Sequence, residues 1–71
     1  MLKLENKVAL LENLRGENKI TGHVAARIIY AASGSMPNWH DCSSYLDELC
    51  AKGIVKHVGF DKDGMSQYEL C

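Results

Sequence analysis

The amino-acid sequence predicts a single small α+β domain, residues 1–71, in which three helices are followed by a two-stranded β-hairpin. Three observations predict it. Trp39, Cys42, Leu46 and Leu49 stand at offsets of three, seven and ten, on one side of a helix. Gly53 follows the last periodic turn, where helices commonly stop. Ile54 to Phe60 and Met65 to Leu70 then flank Asp61-Lys62-Asp63-Gly64, a turn-forming tetrapeptide.

Each element has its own local signal. Leu4, Val8 and Leu11, with Leu10 and Leu14 beside them, make an apolar stripe at helical spacing. They predict a first helix from about Leu2 to Leu14 that stops at Gly16. Glu17-Asn18-Lys19 is a polar turn, and Ile20 is expected to enter a very short strand. Thr21 is the expected N-cap of the second helix, because its hydroxyl can accept from a free amide of the first turn. Val24, Ala25, Ile28, Ile29 and Ala32 form the expected buried face of that helix, and Ser33-Gly34-Ser35 ends it. Pro37 blocks any continuation. Asn38 is the expected N-cap of the third helix, and Asp41 three residues on approximates a capping box. Trp39 is expected in the core by its phase, with an exposed anchor beside Met36 and Pro37 as the alternative. Tyr68 and Leu70 alternate with Gln67 and Glu69, as in a strand with one face on the core. No internal repeat, low-complexity tract or linker interrupts the chain.

Composition narrows the function classes. A chain of 71 residues holds one core and buries only about 60% of its unfolded surface, so its stability is modest or shared with a partner. The 46% hydrophobic content argues against disorder. The formal charge of −1 lacks the basic excess that would by itself point to nucleic acid. No apolar run approaches the roughly 18 residues of a membrane span. The opening MLKLENK has no apolar core like that of a signal peptide, so a cytoplasmic location without membrane attachment is expected. Three cysteines are an odd number, and two of them fall in a predicted helix, which fits reduced thiols. Leu2, Leu10 and Leu14 exceed what one face of the first helix needs, and that surplus suggests a homodimer.

The stretch Cys-Ser-Ser-Tyr-Leu-Asp-Glu-Leu-Cys-Ala-Lys-Gly-Ile-Val, residues 42–55, carries a family resemblance. It looks like the recognition helix and first wing strand of winged helix-turn-helix regulators of small prokaryotic or phage kind. The arsenical-resistance repressors and the fimbrial-operon regulators are the nearest types. The positions that match are Cys42, Ser43, Ser44, Tyr45, Leu46, Leu49, Gly53, Ile54 and Val55, with Tyr68 and Leu70 closing the wing. The resemblance covers nearly the whole chain as architecture. It implies a DNA-binding transcriptional regulator whose third helix enters the major groove of double-stranded DNA, its N-terminal half nearest the base edges. That face would show Asn38, His40, Asp41, Ser43, Ser44 and Asp47. Of these, Asn38 is suited to adenine, and His40, Ser43 and Ser44 to bases or phosphates. Thr21 and the amides at the start of the second helix would hold a phosphate, and Lys62 at the wing tip would reach the neighbouring backbone.

The charges suggest a second reading. Residues 35–52 hold Asp41, Asp47 and Glu48 against Lys52, a net −2. Residues 53–71 hold Asp61, Asp63 and Glu69 against Lys56 and Lys62, a net −1, which leaves +2 for residues 1–34. An acidic third helix and wing would suit a basic protein partner, or an inhibitor that imitates DNA. The individual acids also have ordinary structural readings. Asp41 favours the positive end of its helix, Glu48 and Lys52 form an i,i+4 pair, and Asp63-Gly64 is turn chemistry.

No cofactor, metal site or catalytic residue is expected. His40 and Cys42 project about 200° apart on a helix and do not share one ion, and no closely spaced pair of zinc ligands is present. Cys42 and Cys50 read as small core residues, and Cys71 is not placed as a prenylation box. No nucleophile–base pair, phosphate loop or carboxylate dyad marks an enzyme, and His40 with Ser43 one turn on is a weak coincidence.

Overall fold

The computed structural model describes every residue from Met1 to Cys71. It comprises α1 (Leu4–Glu12), α2 (Gly22–Ser33), α3 (Trp39–Ala51), β1 (Val55–Phe60) and β2 (Ser66–Leu70). Three helices are thus followed by an antiparallel hairpin, an α+β arrangement consistent with a winged helix. No helix is long and apolar enough to cross a membrane.

Local chemistry sets most element ends. The Thr21 hydroxyl accepts from the Val24 amide at 3.3 Å and caps α2. Gly34 ends that helix in the left-handed region, at φ 75°. The Asn38 side chain accepts from the His40 amide at 2.8 Å and caps α3. The reciprocal half of a capping box does not form, because the Asp41 carboxylate instead lies 3.2 Å from the amino group of Met1. After α3, the Ile54 amide donates to the Leu49 carbonyl and the Gly53 amide to that of Cys50, at 2.9 and 3.0 Å. This is the Schellman pattern, and it requires the positive φ of 79° that Gly53 supplies.

The hairpin registers Val55 with Leu70 and His57 with Tyr68, and a bulge at Val58 shifts the pairing. At the turn, the Asp61 carboxylate accepts from the Asp63 and Met65 amides, both at 2.9 Å. Ile20 adds a one-residue bridge on the far edge of β2, exchanging both backbone hydrogen bonds with Tyr68 at 2.7 and 2.8 Å.

The core is a cluster centred on Leu10, Leu14, Ile20, Ala25, Ile29, Cys42, Leu46, Leu49, Val55 and Tyr68. Three expectations about faces need correction. In α1 the buried side is Asn6 and Leu10, continued by Leu2 before the helix and Leu14 after it, while Leu4, Val8 and Leu11 remain 76%, 45% and 41% exposed. Both stripes fit helical periodicity, and the polar Asn6 at the centre of the true one hides it. The apolar surplus of the first helix is therefore the Leu4–Val8–Leu11 stripe. In α2, Ala26 and Gly22 are buried where Ala32 was expected, with Val24 and Ile28 only partly covered. In α3, Tyr45 joins Cys42, Leu46 and Leu49 in the core, whereas Trp39 lies half-buried at its rim.

Candidate nucleic-acid interface

α3 packs across α2 through a close approach at their N-terminal ends. A Cβ on Gly22 would stand 2.6 Å from the Trp39 carbonyl oxygen and 3.1 Å from the Ser43 Cβ. Only a glycine lets the two helices meet here. The contact also decides which α3 side chains are free. Ser43 is half-buried against the start of α2, whereas His40, Ser44, Asp47, Glu48 and Lys52 are exposed.

The sequence-predicted residues fall into three groups. Asn38, His40 and Ser44 share the exposed N-terminal part of α3 and its cap. Thr21 and Ser43 lie beneath that surface, where Thr21 is buried and its hydroxyl is engaged as the cap. Lys62 is exposed at the tip of the hairpin, apart from both helices.

Residues of α2 and the rim complete the surface, and of these His23 was not expected from the sequence. The His40 ring stacks on the Trp39 indole at 3.7 Å, and His23 from α2 lies on Trp39 at 4.9 Å. A cleft of about 340 Å³ opens beside them, lined by His23, Arg27, Met36, Pro37, Asn38 and Trp39. Arg27 therefore stands next to the N-terminal end of α3. Nothing local in the sequence joins residue 23 or 27 to residue 38. The one available signal was a glycine in the first turn of α2, which marks close backbone approach.

The acids of α3 each have an internal partner. Glu48 pairs with Lys52 at 3.6 Å. Asp47 accepts a hydrogen bond from the Tyr68 hydroxyl, which ties β2 to α3. Asp41 faces the Met1 amino group. Burial, and then the bond to Asp47, push the Tyr68 phenol up to about 12. Burial pushes the Cys42 thiol up to about 11, with Asp41 adding to the effect. The Tyr45 phenol is raised by burial and by Glu48. A thiol and two phenols are thus held neutral at ordinary pH, as structural groups rather than reactive ones.

Charge is consequently sorted along α3. The N-terminal end offers Asn38 and His40 with Arg27 and His23 alongside, and Ser44 beside Asp41, while the C-terminal half carries Asp47 and Glu48. Comparison of the chain with protein-family models, curated proteins and solved structures gave no match.

Proposed function

We propose that this protein is a small cytoplasmic DNA-binding regulator of transcription, a binding module and not an enzyme. The N-terminal half of α3 enters the major groove, with Asn38, His40 and Ser44 towards the base edges. Arg27 and His23 meet the adjacent phosphates, and Lys62 touches the backbone from the wing. The observation that supports this reading is the sorting of charge. The end of α3 that approaches DNA carries Asn38, His40 and Ser44 beside an arginine, with one acid, Asp41, paired to the Met1 amino group. Of the acids that argue against DNA, Asp47 and Glu48 lie in the other half, Asp41 lies in the first turn, and all three are partnered within the fold.

The Ser44→Glu variant tests the docking face. Ser44 is exposed and free of the α2 contact that constrains Ser43. The variant should keep the wild-type circular dichroism and melting curve and lose duplex binding in an electrophoretic shift. Unchanged binding would remove α3 from the interface.

A second reading is supported by α3 itself, which carries no Lys or Arg, the C-cap Lys52 being paired with Glu48. Asp47 and Glu48 then present an acidic patch to a basic protein partner. In that case Asp47→Lys should slow association with the partner, because interfacial charge acts mostly on the encounter rate.

A further inference from the structure

The nine-residue helix α1 exposes an apolar stripe that the fold leaves uncovered. Leu4, Val8 and Leu11 follow one another at steps of four and three, the spacing of a helix–helix seam. The opposite side of α1, with Leu2, Leu10 and Leu14, already serves the core. The flanks of the stripe carry opposite charges. At 100° per residue, Glu5 and Glu12 lie on one side of Val8, and Lys3 and Lys7 on the other. The Lys7 ammonium lies over the Tyr45 ring, 5.2 Å from its centre, so the basic flank is the one nearest α3.

We propose that α1 pairs with α1 of a second copy of this chain, side by side and parallel, through Leu4, Val8 and Leu11. The charges select both the partner and the orientation. In a parallel two-fold pair the basic flank of each helix meets the acidic flank of the other, so Lys7 of one copy faces Glu12 of its partner, twice. In an antiparallel pair, lysines meet lysines and glutamates meet glutamates, which is repulsive. The seam is short, below the roughly 1,200 Å² of a standard interface. It makes a weak, reversible dimer. The proposal does not depend on DNA binding.

The test is sedimentation of the full chain over a range of concentrations, with variants at the stripe. The wild type should pass from monomer to dimer between micromolar and millimolar concentration. Val8→Glu and Leu4→Glu, both at exposed positions, should remain monomeric and folded. Orientation is read by cross-linking in a Cys50→Ser, Cys71→Ser background with a short bismaleimide. Leu4→Cys should cross-link to itself, because a parallel seam sets like positions opposite. A wild type that stays monomeric at millimolar concentration would assign the stripe to some other partner and overturn the proposal. So would a dimer indifferent to both glutamates. Cross-linking only when Leu4→Cys is mixed with Leu11→Cys would overturn the parallel arrangement.

Discussion

Tyr68 makes three connections from one position. Its backbone exchanges hydrogen bonds with Ile20, its strand pairs it with His57, and its hydroxyl donates to Asp47 on α3. The wing is therefore tied to both the bridge and the third helix. The hairpin and a very short strand at Ile20 were legible in the sequence, but the pairing of Ile20 with Tyr68 and the bond to Asp47 were not, because those partners are distant in sequence. Asn6 is the opposite case, a polar residue where an apolar one would fit. It is buried, and its side-chain oxygen has no hydrogen-bond partner. An unpaired buried polar group costs roughly 1–3 kcal/mol. Asn6→Leu should therefore stabilise the domain by about 1–2 kcal/mol, visible as a higher urea midpoint. An unchanged or lower midpoint would mean that the carbonyl is satisfied in solution.

At the scale of elements, what was legible was what is chemically local. Thr21 and Asn38 start α2 and α3 and Gly53 stops α3 as capping chemistry requires, and Asp61 closes the hairpin turn. Both strands fall within one residue of their expected limits. Faces were less legible. α1 is apolar on two sides, and only packing against the rest of the chain selects Leu2, Leu10 and Leu14 over Leu4, Val8 and Leu11. Trp39 sits on the border of its helix face, so its stack with His23 and His40 could not be read from phase. Gly22 makes the α2–α3 crossing testable. Helix propensity alone favours alanine over glycine, by about 1 kcal/mol in a helix interior. The close approach to the Trp39 carbonyl opposes it, and overpacking of this kind costs about 1–3 kcal/mol. Gly22→Ala should thus lower stability in chemical denaturation. A gain would show that the two helices do not meet as described.

For the whole molecule, 16 of 71 residues are buried, a small core that leaves stability sensitive to single buried groups. The pH dependence follows from two of them. The Cys42 thiol moves from 9.0 to about 11 and the Tyr68 phenol from 10.0 to about 12. Both are raised on folding, so the unfolded chain releases these protons first. Stability from them is complete below about pH 9 and declines as pH rises towards 12. Tyr68→Phe should flatten the part of that decline above pH 10, measured as unfolding free energy in urea. The same small scaffold carries eight Lys and Arg residues, all but Lys7 exposed. The most direct test of the regulator reading is therefore fluorescence anisotropy of labelled random duplex DNA, with wild type and Arg27→Ala titrated at several salt concentrations. The wild type should bind at micromolar concentration and weaken steeply between about 50 and 200 mM salt. Arg27→Ala should bind more weakly, with its salt slope shallower by about 1. No binding at low salt, or an identical slope for Arg27→Ala, would contradict the proposed docking of α2 and α3 on DNA.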